Sequence, residues 1–368
     1  MPQRIYAGKD AYCHLDAVLR KAKISKYMLV CDQAYKHLCF SQYIEEIAAE
    51  HVKFQEFASN PLYEDVLKGV EMFRREACDG IVAVGGGSAI DVAKCIKLFC
   101  KMDLSKDCLR QPFFDSQIPL IAIPTTAGTG SESTRYAVIY KGGEKQSITH
   151  ESIRPGDVIL EASTLKTLPL FQKKCTLLDA LCQGVESWWS VNSTPESKAF
   201  SRSAVKMIAQ NWRMYLSDDN EEVREIMMRA SNDAGQAINI TQTTAAHAMS
   251  YKITSLYGIP HGYAVAICLP KIWRYMLSHA NDCIDPHGVT YLFGVWQDIA
   301  EAIGVTSPQH AIEWFEAMLQ EMHIPSPEVK TESELALLAA SVNPVRLKNN
   351  PVALREEALR ALYIQIMK

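Results

Sequence analysis

Residues 81–94 read IVAVGGGSAIDVAK, and this stretch decides how the first half of the chain folds. Ile81, Val82, Ala83 and Val84 form an apolar run with no polar alternation, the pattern of a strand buried on both faces, as in a parallel sheet. Gly85, Gly86 and Gly87 then turn the chain, Ser88 stands as an N-cap, and a helix opens with Asp91 and Lys94. Glycines let backbone N–H groups approach an anion closely, and the new helix aims its positive end at the same point. A pyrophosphate suits that arrangement, although a plain tight turn uses the same glycines. Neither GxGxxG nor GxxxxGK[ST] is present, so the common dinucleotide and P-loop fingerprints do not apply.

The same alternation extends on both sides. KYMLVCD (26–32) and HVKFQEF (51–57) read as strands, residues 62–77 as an amphipathic helix, and IPLIAIP (118–124) as another buried strand. YAVIYKGGEKQSI (136–148) reads as a hairpin around Gly142 and Gly143. From about Thr164 strand signals fade, and Thr167 and Pro169 precede a helical run, which suggests a helix N-terminus there. The expected organisation is an α/β domain over 1–163 and an all-helical domain over 164–368.

A second polar loop, PTTAGTGSE (124–132), follows the last buried strand and offers Thr125, Thr126, Thr129 and Ser131 with two glycines. Two loops at the carboxyl edge of one parallel sheet favour a shared ligand over two solvated turns. Asp32 ends its own strand. An acid there suits a ribose 2′-hydroxyl and repels a 2′-phosphate, favouring NAD over NADP, while an ordinary turn aspartate fits the position as well.

In the second half, LLDALCQGVESWW (177–189) sets Asp179 and Gln183 four apart on a helix that is otherwise apolar. HAMSYKITSLYGIPHGYAVAI (247–267) places His247 and His261 fourteen apart, with GIPHG breaking the helix before the second. One carboxylate, two imidazoles and a neutral amide would suit a divalent transition metal such as iron or zinc.

GGGSAIDVAK, PTTAGTGSE, LDALCQGVES and HAMSYKITSLYGIPHG occur in this order, and together they resemble the iron-containing (group III) alcohol dehydrogenase family, related to glycerol dehydrogenase and dehydroquinate synthase. The resemblance implies a dinucleotide-binding α/β domain, an all-helical metal-binding domain and an active site in the cleft between them. By motif, Gly85, Gly86, Gly87, Ser88, Asp91 and Lys94 fall in the pyrophosphate segment. Thr125, Thr126 and Ser131 fall in the nicotinamide-side loop, with Thr134 just beyond, and Asp179, His247 and His261 match metal ligands. Two positions depart from the family. Gln183 and Tyr251 stand where histidines are common. An amide oxygen is a weaker donor to iron or zinc than imidazole, so Gln183 either coordinates through its carbonyl or leaves a place to water. The expected cofactors are NAD(H) rather than NADP(H) and Fe²⁺ or Zn²⁺, with a metal-free enzyme as the alternative. Tyr251 is a candidate proton donor, a water-ordering group or a pocket wall, and a ribose hydroxyl relay could equally move the proton.

The segment SVNPVRLKNNPVALREEALRALY (341–363) bears on the substrate. Arg346 matches a pocket-lining position of related enzymes, and its planar fork suits a phosphonate, phosphate or carboxylate. Lys348, Lys252 and Arg135 are further cations near the motifs. WWSVNSTPES and RLKNNPV resemble the phosphonoacetaldehyde reductases of the family, which form 2-hydroxyethylphosphonate and so belong to phosphonate biosynthesis. The expected reaction is reduction of a small anionic aldehyde. Other short aldehydes or carboxylated semialdehydes are the rivals, then a dehydroquinate synthase-like lyase and a non-catalytic binding protein.

Composition narrows the partners. With a formal net charge of −4 over 368 residues, nothing global favours nucleic acid. No stretch approaches the roughly 20 apolar residues that span a bilayer, and MPQRIYAGKD lacks an apolar signal core. Eleven scattered cysteines without a CxxC pair fit reduced thiols in a cytoplasm. A homodimer is a family-level expectation.

Overall fold

The continuous apolar runs form a parallel sheet covered on both faces. The structure, a computed structural model, describes residues 2–218 and 220–367. It divides into two compact units, Met1–Leu168 with Asp219–Met228, and Pro169–Asp218 with Arg229–Lys368.

In the first unit the strands are β1 (Arg4–Ala7), β2 (Lys26–Cys31), β3 (Glu50–Phe54), β4 (Gly80–Gly85), β5 (Leu120–Pro124), β6 (Tyr136–Lys141), β7 (Glu144–Thr149) and β8 (Asp157–Leu160). Six of them form one sheet in the order β1-β8-β5-β4-β2-β3, every pair parallel. Alternate residues of each central strand serve opposite cores. Met28, Val30, Ile81 and Ala83 join one cluster, and Leu29, Cys31, Val82 and Val84 join the other. Helices α3 (Tyr63–Arg75) and α4 (Gly87–Phe99) cover the first face, while α1 (His14–Ala22) and α2 (Ser41–Glu46) contribute to the second. Chain order runs outward from β2 to β3 and then restarts at β4 on the other side of β2. The ends of β2 and β4 therefore flank the switch point at which such sheets bind ligands. β6 and β7 form the expected antiparallel hairpin, with φ of +57° at Gly142 and +80° at Gly143, the left-handed pair of a two-residue turn. β1 and β8 carry too few residues to announce themselves in sequence.

The remaining helices are α5 (Leu170–Trp189), α6 (Pro195–Ser217), α7 (Glu221–Thr241), α8 (Ala245–Tyr257), α9 (His261–Ser278), α10 (Val289–Ile303), α11 (Pro308–Glu321), α12 (Glu332–Ala340), α13 (Pro344–Leu347) and α14 (Glu356–Ile366). The second unit is built around α5, which is buried along most of its length and packs on both α6 and α9. Trp189 of α5 meets Trp273 of α9 edge to face at 5.3 Å. Gly258 ends α8 with φ +66°, and Pro260 then starts α9, so the GIPHG segment is a helix stop followed at once by a new start. No helix among the described residues is long and apolar enough to cross a membrane.

Candidate metal centre and cofactor loops

Asp179, Gln183 and Glu186 lie at spacings of four and three along one side of α5, and all three are buried. Glu186 was not singled out in sequence, yet it organises the site. Its Oε1 accepts from the Thr244 backbone N–H (3.1 Å), the Thr244 hydroxyl (2.6 Å) and the Ala246 N–H (2.9 Å). Thr244 is the N-cap residue of α8 and caps nothing with its own side chain, so a carboxylate from α5 satisfies the first turn of α8. The other oxygen, Oε2, accepts from Nδ1 of His247.

That bond assigns the imidazole. With Nδ1 donating to Glu186, Nε2 carries the lone pair. It faces Asp179 Oδ1 at 3.4 Å, and among the described residues neither atom has a hydrogen-bond partner. Two buried acceptors facing each other call for a cation between them. His261 completes the group, its ring 5.3 Å from that of His247, and the three ligand atoms all lie within 4.8 Å of one another. Tetrahedral ligands about 2.0–2.2 Å from one ion stand about 3.3–3.6 Å apart, a separation the Asp179–His247 pair already has. One carboxylate and two imidazoles fit iron or zinc. Burial disfavours a charged imidazole, but the Glu186 and Asp179 carboxylates outweigh it and raise His247 to about 9. Glu186 is held below the ordinary carboxylate range, the charge and hydrogen bonds of His247 overcoming its burial.

Gly262 explains how His261 gets there. A Cβ at Gly262 would overlap the Cys175 carbonyl oxygen and stand 2.7 Å from Asp179 Cβ. The first turn of α9 therefore lies directly on the backbone of α5 beside Asp179, with His261 at its start. Tyr251 stacks on His261 with ring centroids 5.5 Å apart and planes 10° from parallel. Burial raises the Tyr251 hydroxyl above its ordinary range, while the charge of Arg346 and a hydrogen bond with the Thr243 side chain pull the other way. Arg346 is half-buried on α13, which packs against α8. Lys252 is half-buried on α8, and Lys348 is exposed. Arg135, in the other unit, pairs with Glu151 and lies 5.6 Å from the ring of Tyr136.

In the first unit the two polar loops pack on each other. Thr125 N–H donates to the Gly85 carbonyl at 3.0 Å. A Cβ on Gly87 would stand 3.0 Å from Thr129 Cγ2, a contact that Thr129 would have to yield to, and one on Gly86 would meet Thr126 at 3.5 Å. The expectation of Ser88 as N-cap is corrected: α4 starts at Gly87, Gly86 is the cap residue, and no side chain caps the helix. The packed glycines let the helix begin two residues earlier. Asp91, Lys94, Ser131 and Thr134 bond to one another. Lys94 is fully buried and donates to Ser131 O (2.6 Å), Ser131 Oγ (2.9 Å), Thr134 Oγ1 (3.1 Å) and Tyr136 O (2.6 Å). Asp91 accepts from Ser131 Oγ at 2.7 Å and Val138 N–H at 2.9 Å. Burial lowers Lys94 to about 8 against the pull of Asp91, and burial raises Asp91. Asp32 accepts from the Ala34 N–H through Oδ1 (2.8 Å), and its Oδ2 lies beside Gly85.

The family model described as iron-containing alcohol dehydrogenase matches residues 2–162, and the C-terminal model of the same family matches 174–367. The chain belongs to the iron-containing alcohol dehydrogenase family. It is 32% identical over 299 residues to the phosphonoacetaldehyde reductase of Streptomyces viridochromogenes, covering 77% of this chain and 75% of that one. It is 33% identical over 279 residues to the 1,3-propanediol dehydrogenase of Citrobacter freundii, covering 74% and 70%. The crystal structure of sulfoacetaldehyde reductase from Bifidobacterium kashiwanohense in complex with NAD⁺ superposes with a TM-score of 0.90 at 26% identity, over 99% of this chain and 97% of that one.

This iron-containing alcohol dehydrogenase is thus an NAD(P)-dependent oxidoreductase that reduces aldehydes with the help of a metal, built on the two-part fold expected from sequence. Its α5 did carry a signal for Glu186. Extending the Asp179–Gln183 stripe by three residues lands on a third polar side chain in an apolar helix.

Two substitutions test the centre. Glu186→Gln should lower affinity for Fe²⁺ or Zn²⁺ by roughly 10–100-fold in competition with a chelator. Gly262→Ala should displace α9 from α5, so the purified protein should lose metal and melt at lower temperature; an unchanged metal content would refute the packing argument.

Proposed function

We propose that this enzyme reduces a short anionic aldehyde with NADH at a divalent metal held by Asp179, His247 and His261, and that phosphonoacetaldehyde, giving 2-hydroxyethylphosphonate, is the substrate. The observation that carries the metal assignment is the pair of buried acceptors, Asp179 Oδ1 and His247 Nε2, facing each other without a hydrogen bond. The substrate assignment is supported by Arg346, half-buried on the short helix α13 that packs against α8, the helix of Tyr251 and His247, and by relatives named for phosphonoacetaldehyde and sulfoacetaldehyde. Gln183, buried one turn after Asp179, offers its carbonyl oxygen as a fourth donor.

When bound, the metal supplies Lewis acidity at the carbonyl oxygen and the reduced nicotinamide supplies hydride. The chain supplies the rest. Glu186 fixes the His247 tautomer, Tyr251 walls the site against His261, and Arg346 holds the anion so that the carbonyl meets the metal ligands in one orientation. The glycines Gly85, Gly86 and Gly87 with Ser88 hold the pyrophosphate, and Thr125 and Thr126 flank the nicotinamide. In this reading Asp91, Lys94, Ser131 and Thr134 brace the two loops rather than touch the cofactor, because they already satisfy one another. Asp32 takes the ribose hydroxyl.

A metal-free enzyme is the second reading: the 3.4 Å separation of His247 Nε2 and Asp179 Oδ1 also suits a protonated imidazole, and the two carboxylates that flank the ring raise its pKa. NADH oxidation assayed with phosphonoacetaldehyde, succinic semialdehyde and propionaldehyde, with Fe²⁺, Zn²⁺ or chelator, tests the proposal. Turnover that survives complete metal removal would overturn the metal assignment.

Arg346→Ala should raise KM for phosphonoacetaldehyde by roughly 10–100-fold, the value of a charge-assisted hydrogen-bond pair, and leave propionaldehyde nearly unaffected. Asp32→Gly costs only a few tenths of a kcal/mol as a cap change, and should shift the ratio of kcat/KM for NADPH over NADH upward. An unchanged ratio would leave Asp32 as a turn residue.

A further inference from the structure

The segment that carries Arg346 is fastened to the turn before α8 through one side chain, Asn349. Its Nδ2 donates to Gln242 Oε1 at 3.3 Å and to the Thr243 carbonyl at 3.1 Å, and its Oδ1 accepts from Asn192 Nδ2 at 2.9 Å. Its backbone N–H donates to the Arg346 carbonyl at 3.2 Å, and its carbonyl accepts from Val191 N–H at 3.0 Å. Asn349 is buried, at 8% exposure. The turn it grips is unusual, since Gln242 has φ +61°, a left-handed conformation uncommon for a residue with a Cβ. The next residues on that turn are Thr243, whose side chain bonds Tyr251, and Thr244, which Glu186 holds.

We propose that Asn349 is the positioning residue for anion recognition, tying the Arg346 segment to the Gln242–Thr244 turn so that α13 and its guanidinium are held at a fixed place against α8. The proposal rests on the anionic-aldehyde reading above. Helix α13 spans only Pro344–Leu347, too short to be stable alone, and Val345 on it is 63% exposed. Its position is set at its two ends. Asn343 caps it, accepting from Val345 N–H at 2.9 Å, and Asn349 anchors the exit. A guanidinium that must meet an oxyanion needs such an anchor, because a misplacement of about 1 Å can cost on the order of a hundredfold. Only an amide of this length offers two donors and an acceptor to three partners at once. The adjacent Asn350 bonds elsewhere, to Val352 O and Met276 Sδ, so the anchoring belongs to Asn349.

The test is steady-state kinetics of the metal-loaded enzyme with NADH against phosphonoacetaldehyde and propionaldehyde, for wild type, Arg346→Ala, Asn349→Asp and Gln242→Gly. Asn349→Asp keeps the size and the acceptor but loses the donors. Gln242→Gly removes the Oε1 acceptor at a φ that glycine accepts freely, so folding is not at risk. Both should raise KM for phosphonoacetaldehyde by roughly tenfold, with kcat held within about threefold and with propionaldehyde kinetics and metal content unchanged. Equal effects on both aldehydes, or none on either, overturn the proposal. A wild type that does not prefer phosphonoacetaldehyde overturns the anionic-substrate reading and this inference together. If Arg346→Ala abolishes the preference while Asn349→Asp and Gln242→Gly do not weaken it, only the anchoring role falls.

Discussion

A carboxylate buried in the last turn of a helix must find donors for both oxygens, and Glu186 finds them in the first turn of α8 and in the imidazole of His247. That requirement ties three features together. It caps a helix, it sets which nitrogen of His247 carries the proton, and it turns the other nitrogen toward Asp179. Breaking a buried pair of this kind costs about 3–5 kcal/mol, against a total stability of about 5–15 kcal/mol for a domain. Metal geometry and folding of the helical unit are therefore parts of one problem. The close packing of Gly262 on Asp179 supplies the remaining constraint, by fixing where α9 begins.

The α/β unit uses buried charge in the same manner. Lys94 and Asp91 stand 4.0 Å apart, and each is satisfied by the loop and strand that follow β5. Their charges hold two glycine-bearing loops in contact at the end of the sheet. Rigid loops matter there because backbone N–H groups can bind an anion only if they converge before it arrives.

Much of this was legible in the chain. Fully apolar runs at 27–31, 81–84 and 120–123 announced a sheet buried on both faces, and the change to helical periodicity after residue 164 announced a different second half. Asp179, His247 and His261 could be named because a carboxylate and two imidazoles stand on apolar helices within motifs that resemble the metal-ligand segments of the family. Asp32 could be placed at a strand end, although the strand itself stops at Cys31. The short strands β1 and β8 were not legible, because four residues carry no period and their pairing is supplied by neighbours far along the chain.

Local order in the longer elements, then, belongs to the sequence alone: apolar spacing fixes which face of a helix or central strand is covered, and Gly258 with Pro260 fixes where α8 stops and α9 begins. What tertiary structure decided is which polar groups meet. Glu186 and His247 are 61 residues apart, Asn349 and Thr243 are 106 apart, and Lys94 and Ser131 are 37 apart. Each pair was decided when packing removed water from both partners, because a buried charge or amide then has only the nearest complementary group to satisfy it.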